Sequence, residues 1–397
     1  MTEHVQTLGL SAAQLRDGGA EWTAREIVQQ PQLWADILRR TSGDAALREF
    51  LAPLLANPAL RIVLTGAGTS SFIGECLAPA LLRSGRHATA IASTDIVASP
   101  ASTLPAREPM LVVHFARSGN SPESMAALEL ASQRVPGCAH LIVTCNAEGD
   151  LYRHTRVTPR THALLLPEAC NDQGFAMTSS FTGMLLAAGL ALRLLPADGA
   201  RIGRLAAFAA HLMTDGLPLF ASLVRARFER VVFLGSNELK GLAREAALKM
   251  LELTDGRVVS LGETPLGFRH GPKTITDDST LIVLFLSNAA HTRRYDLDLL
   301  SELRRDAVAG RVIALSGSPD ATGHLDTLVL GGAGAGVQAA DTAPQDLELI
   351  LPYVTFAQSL AVLRSLSLGL TPDRPNAAGT VSRVVHGVCI YPAPSTA

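Results

Sequence analysis

Glu245, Lys249 and Glu252 lie at i, i+4 and i+7 in the stretch GLAREAALKMLEL, residues 241–253. In a helix that spacing puts all three in one row. Two carboxylates flanking an ammonium can move a proton on a polar substrate. The same row also suits a solvated face with an intrahelical salt bridge, a common surface feature. A second group is Arg117-Ser118-Gly119-Asn120-Ser121, directly before Pro122. Proline favours the first helical position, so free backbone N–H groups and the hydroxyls of Ser118 and Ser121 would converge on an anion such as phosphate. Gly68, Thr69 and Ser70 repeat that arrangement after an earlier apolar run. For both loops the alternative is an ordinary cap or turn. His270 sits in the polar segment GETPLGFRHGPK, where a loop histidine can reach a ligand, although a lone histidine commonly has no special role. Glu168, Asn171 and Asp172 precede a helical stretch that Thr178 or Ser179 could cap, with Thr178 the expected cap.

The elements that must carry these residues read as alternating strands and helices. Apolar runs at 61–65, 87–92, 110–115, 140–144 and 162–166 alternate with helical stretches at 72–83, 122–134 and 178–195. A second series has strands at 231–234, 257–261, 280–286, 311–315 and 327–330, with helices at 201–213, 241–253, 292–308 and 345–368. Strands that are almost wholly apolar predict a parallel sheet covered on both faces. RIVLTGAGTS parallels RVVFLGSNEL, VVHFARSGNS parallels IVLFLSNAAH, and LIVTCN parallels VIALSG, about 170 residues apart. The expected fold is therefore α/β, with two tandem doubly wound parallel-sheet domains. An N-terminal helical arm at 1–50 precedes a first domain at 51–198 and a second at 199–397. Within the arm, Thr23 would cap one helix and Pro31 would begin the next. Residues 330–345, LGGAGAGVQAADTAPQ, read as a loop. In doubly wound sheets ligands bind at the carboxyl ends of the strands, where the loops above fall.

Composition removes several function classes. With 34 basic and 36 acidic residues the net charge is −2, so no footprint for nucleic acid or a membrane surface is expected. The 47% hydrophobic and 18% charged content suits a folded core rather than disorder. The five cysteines form no CxxC pair and His270 has no HxH or HxxxH partner, so no metal is expected. Gly66-Ala67-Gly68 lacks the GxGxxG spacing, which speaks against a nicotinamide cofactor, and no cofactor is expected. The first ten residues lack a secretory pattern and no apolar stretch reaches a membrane span, so a cytoplasmic protein is the expectation.

TGAGTSS, FARSGNSPES, AMTSSFTG, LAREAALKMLEL and FRHGP together make the chain resemble the sugar isomerase (SIS) domain family, as two such domains from about residue 55 onward. It also looks like the isomerase half of glucosamine-6-phosphate synthase without the glutaminase half. ACNDQGFAMTSSF and GTVSRVVHGV resemble the tagatose-6-phosphate ketose/aldose isomerase or galactosamine-6-phosphate deaminase subgroup. The resemblance implies substrate or phosphate contacts from Gly68, Thr69, Ser70, Arg117, Ser118, Asn120, Ser121 and Thr178, with Arg117 in a place next to the one where the family has its first serine. It implies that Glu252 carries a proton between C1 and C2. It further implies that His270 opens the sugar ring and reaches the neighbouring subunit's site, hence a homodimer. The synthase's C-terminal lysine has no counterpart in 376–383, where only Arg383 offers a cation. An aminosugar-phosphate deaminase or a plain aldose/ketose isomerase both fit this shuttle, and a sugar-phosphate-sensing regulator is the alternative from another class.

Overall fold

The computed structural model describes residues 6–104, 109–318, 327–329, 343–385 and 387–392. Among the described residues are ten strands, in chain order: β1 (Arg61–Thr65), β2 (His87–Ala90), β3 (Met110–Ala116), β4 (Ala139–Thr144), β5 (Thr161–Leu165), β6 (Arg230–Gly235), β7 (Val259–Glu263), β8 (Thr280–Leu286), β9 (Arg311–Ser316) and β10 (Thr327–Val329). They form two five-stranded sheets, β2-β1-β3-β4-β5 and β10-β9-β8-β6-β7, in which all the neighbours pair in parallel. Counted from its own first strand, each sheet has the order 2-1-3-4-5. The chain is thus an α/β protein with two tandem doubly wound sheets. β3 and β8 are buried at every position, which is why both read as apolar runs, with only His114 in β3 and Thr280 at the start of β8 polar.

The repeat extends to backbone detail. Gly68, before the Thr69–Arg83 helix, has φ 56° and ψ −129°; Asn237, before the Glu238–Leu253 helix, has φ 55° and ψ −119°. Two residues earlier, a Cβ on Gly66 would lie 2.6 Å from Cβ of Ser70, and one on Gly235 would lie 2.3 Å from the Leu239 carbonyl oxygen. Each helix therefore turns tightly off its strand, and only glycine tolerates that approach.

Two compact units result. One comprises residues 1–31, 174–176 and 200–375 and contains the second sheet. The other comprises 32–173, 177–199 and 376–397 and contains the first. The residues expected as a separate arm are thus shared between the units, and the C-terminal tail belongs to the unit of the first sheet.

Three expectations need correction. Thr23 does not cap a helix: it lies inside Glu21–Val28, where its N–H and hydroxyl donate to Oδ1 of Asp373 at 2.8 and 2.7 Å, while the Trp22 N–H donates to Oδ2 at 3.1 Å. A carboxylate brought from far along the chain suits the positive helix end better than a neutral hydroxyl. One helix, Asp346–Ser367, is long and apolar enough to cross a membrane by length and composition, contrary to the sequence reading. Most of it is buried inside its unit, and a helix apolar all round is the mark of a core element as much as of a span. The helices Ser93–Ala98, Asp150–His154 and Leu217–Arg225 were not foreseen. The first two are too short to show a period. The loop expected at 330–345 falls largely outside the described residues.

Candidate active site

The Glu238–Leu253 helix packs on β6, β7 and the Asp346–Ser367 helix. Leu239, Leu242, Ala246, Met250 and Leu253 follow the 3.6-residue period and are buried. Its end is set by Asp255 and Gly256, both at positive φ, with the Gly256 N–H on the Leu251 carbonyl at 2.9 Å. The charged row is not a solvated face. Glu245 and Lys249 are fully buried, and the Lys249 ammonium lies 3.6 Å from Oε1 of Glu245 and 2.5 Å from Oε2 of Glu252. The Glu252 side chain retains 26% exposure. The row thus runs from a buried carboxylate through a buried cation to a carboxylate that reaches solvent.

His270 follows the short helix Pro265–Phe268, whose N-cap Thr264 accepts from the Gly267 N–H at 3.0 Å. The residues flanking it are tied down. Arg269 bridges to Asp298 at 2.8 Å and to Glu302 at 2.7 Å; Lys273 bridges to Glu302 at 2.5 Å and to Asp306 at 2.6 Å. All three carboxylates lie on the Ala290–Asp306 helix. Hydrogen bonds from Lys273, then Arg269, hold the Glu302 carboxyl below its usual range despite partial burial. The clamp fixes the segment and leaves His270 exposed.

In the other unit, the phosphate-loop candidates gather at the carboxyl ends of β1 and β3, as expected of a doubly wound sheet. Thr69 and Ser70 open their helix and are buried, and the Ser70 hydroxyl lies 3.8 Å from the Met177 sulfur. Gly68 and Asn120 are exposed, while Ser118 and Ser121 are half-buried. Ser121 is the N-cap of Pro122–Arg134, accepting from the Ser124 N–H at 3.3 Å. Ser118 Oγ accepts from the Asn120 N–H at 3.3 Å, and Oδ1 of Asn120 accepts from the Asp150 N–H at 2.9 Å. Capping and turn formation therefore coexist with an exposed N-terminal cradle. Gly119 takes φ 69°, a conformation that suits glycine.

Thr178 is buried and makes no cap hydrogen bond; its hydroxyl donates to Oδ1 of Asp172 at 3.0 Å. The cap is Asp172. Its carboxylate also accepts from the N–H groups of Thr178, Ser179 and Ser180 at 2.8, 3.0 and 3.0 Å and from the Ser180 hydroxyl at 2.6 Å. A charged acceptor saturated by five donors outcompetes a hydroxyl at a helix N-terminus. The signal in the sequence was an aspartate six residues before a Thr-Ser-Ser helix start. Arg383 of the tail donates to the backbone carbonyl of Asp172, and the buried Arg117 donates to the Arg383 carbonyl at 2.8 Å. The one C-terminal cation singled out from the sequence is thus tied to the phosphate-loop region. Among the described residues no cluster of His, Cys, Asp and Glu could hold a metal ion.

Residues 54–194 match the SIS domain. The chain belongs to the SIS domain family, and it shares nearly its full length with relatives named for one activity. It is 46% identical over 387 residues to an AgaS protein of Streptomyces coelicolor, covering 94% of this chain and 96% of that one. It is 45% identical over 378 residues to the D-galactosamine-6-phosphate deaminase AgaS of Escherichia coli, again covering 94% and 96%. Among solved structures, the tagatose-6-phosphate ketose/aldose isomerase of Escherichia coli superposes with a TM-score of 0.85 at 40% identity, over 94% of this chain and 96% of that one. The C-terminal domain of glucosamine-fructose-6-phosphate aminotransferase from Francisella tularensis gives a TM-score of 0.72 at 18% identity, over 91% and 99%, and so shares the fold.

Proposed function

We propose that this chain converts galactosamine 6-phosphate and water to tagatose 6-phosphate and ammonia. The observation that carries the reading is the buried Glu245–Lys249–Glu252 row with one solvent-reaching carboxylate, in a chain whose full-length relatives bear the deaminase name. Glu252 takes the proton from C2 of the open-chain aldose as the C1 oxygen gains one. The resulting enaminol gains a proton at C1 and loses one from nitrogen, which leaves a ketose imine. Water adds to the imine carbon, and the C–N bond breaks to release ammonia. Lys249, 2.5 Å from Oε2 of Glu252, holds that carboxyl group in place for both transfers.

We assign the phosphate to Ser118 and Ser121, with Gly68, Thr69 and Ser70; Arg117 adds positive charge, Asn120 shapes the loop, and Thr178 supports Asp172. His270 opens the sugar ring. Its exposure between two clamped cations supports a reach to a neighbouring subunit, and hence a homodimer. A cytoplasmic setting, without nucleic acid, membrane or cofactor, completes the reading. The repeat in the sequence supports two duplicated modules at 51–198 and 199–397, preceded by the arm at 1–50.

Because the Escherichia coli structure is that of a protein named as an isomerase, a second reading stands beside the first. With a hydroxyl at C2 the same shuttle interconverts aldose and ketose and releases nothing. The regulator reading has no comparable observation in its favour. The test is ammonia release from galactosamine 6-phosphate, run beside ketose formation from the corresponding aldose 6-phosphate. Ketose without ammonia would sink the deaminase reading and leave the isomerase.

A further inference from the structure

The two sheets share strand order and the same tight turn after their first strands, so each has a cradle at the carboxyl ends of its two central strands. In the first sheet that cradle is the Arg117–Ser121 loop. In the second it is formed by Ser236, after β6, and by Ser287, Asn288 and Ala289, after β8. There the hydroxyls of Ser236 and Ser287 and the N–H groups of Ser287, Asn288 and Ala289 are all taken. Ser236 Oγ donates to Oδ1 of Asp296 at 2.7 Å, and the Ser287 N–H donates to Oδ2 at 2.9 Å. Ser287 Oγ donates to Oδ2 of Asp346 at 2.5 Å, the Asn288 N–H donates to Oδ1 at 2.6 Å, and the Ala289 N–H donates to Ser287 Oγ at 3.0 Å. Four carboxylate oxygens thus accept from two strand-end loops, as the oxygens of one phosphate would. Asp296 and Ser287 are fully buried and Asp346 nearly so. Arg293, also buried, donates to the Ser287 carbonyl at 3.0 Å and to Ser316 Oγ at 2.8 Å, which places a compensating cation beside the pair.

We propose that the second sheet's cradle is a closed anion site, in which Asp296 and Asp346 stand where a phosphate's oxygens would, so that each chain takes up one phosphosugar, at the first sheet. The location at the first sheet rests on the function proposed above; the closure of the second does not. The two carboxylates also repel any anion that approaches the second cradle. Removing one would leave buried N–H and O–H donors without acceptors, and inorganic phosphate would then supply them.

Calorimetric titration with a hexitol 6-phosphate, which has no carbonyl to react, should give one equivalent per wild-type chain. The paired substitution Ser118→Ala and Ser121→Ala should weaken it at least tenfold and leave no second class of site. Asp346→Ser should gain an additional equivalent of inorganic phosphate in the millimolar range, lost again when Ser287→Ala is added. Asp296→Ser provides the same test if the first variant does not fold. Two equivalents on the wild-type chain, or folded Asp346→Ser and Asp296→Ser chains that take no extra phosphate, would overturn the closure. A wild-type chain that binds no hexitol phosphate would instead remove the phosphosugar reading, while the gain or lack of gain in Asp346→Ser still decides whether the second site is closed.

Discussion

The Lys249 ammonium, fully buried, lies 2.5 Å from Oε2 of Glu252, whose side chain is the one member of its row to reach solvent. A cation held away from water lowers the cost of a carboxylate beside it, and the carboxylate remains able to exchange a proton with a substrate.

Glu252→Gln keeps the shape and removes the base. Turnover should fall by about 10²- to 10⁴-fold, the usual contribution of a general base, while affinity for a phosphosugar stays within a few-fold. Ammonia release and calorimetric binding measured on the same preparation check both halves. Turnover at the wild-type rate would exclude Glu252 as the shuttle.

Glu245 is distinguished from its neighbours by Glu245→Gln and Lys249→Met. The first leaves Lys249 paired with Glu252 and should retain turnover within about tenfold, as expected of a group that touches no reacting atom. The second strands a buried carboxylate and should cost about 3–5 kcal/mol by chemical denaturation. If Glu245→Gln were as inactive as Glu252→Gln, Glu245 would need a direct role.

The clamp around His270 depends on charge. Arg269→Ala combined with Lys273→Ala should raise amide exchange across residues 264–275 and lower kcat/KM without unfolding the chain. In the intact protein, Glu302 titrates below its usual range because of Lys273, then Arg269. Its contribution is therefore present above the ordinary glutamate range and lost as pH falls through the depressed value. Exchange across this segment should rise only in that acid window. An increase between pH 6 and 8 would contradict the assignment.

A second pH dependence lies in the core of the first sheet. Nε2 of His114 is 3.1 Å from Nδ1 of His140, and Nε2 of His140 is 3.0 Å from the Ser132 hydroxyl. Burial first, and then the charge of His154, lower His140 to about 4, and burial with His140 nearby lowers His114 well below its ordinary value. The unfolded chain binds these protons near pH 6.5, so stability should be full above that value and fall as pH drops toward 4, by about 3 kcal/mol from His140. Melting temperatures from pH 7 to 4.5 for wild type and His140→Gln would show it. Parallel slopes for the two proteins would refute it.

Much of this was legible because the strands are buried on both faces. β3, β6, β8 and β9 announce themselves as apolar runs, and the turns after β1 and β6 carry glycine or asparagine where the backbone demands them. The row of Glu245, Lys249 and Glu252 was visible as spacing, but its burial was not, because burial is set by the Asp346–Ser367 helix more than ninety residues later in the chain. The caps expected at Thr178 and Thr23 fail for the same reason: local pattern points to the nearest hydroxyl, whereas the folded chain brings a stronger acceptor, Asp172 or Asp373. The filled cradle of the second sheet was invisible, since Asp296 and Asp346 lie in helices whose sequences give no sign of facing Ser287.

The carboxylate of Asp373 that completes the Glu21–Val28 helix arrives 350 residues after Thr23. During synthesis, that helix is made 350 residues before its stabilising partner. Its first turn therefore remains incomplete on the ribosome until Asp373 has been made. The helix is therefore finished only together with the rest of its own unit, to which residues 200–375 belong.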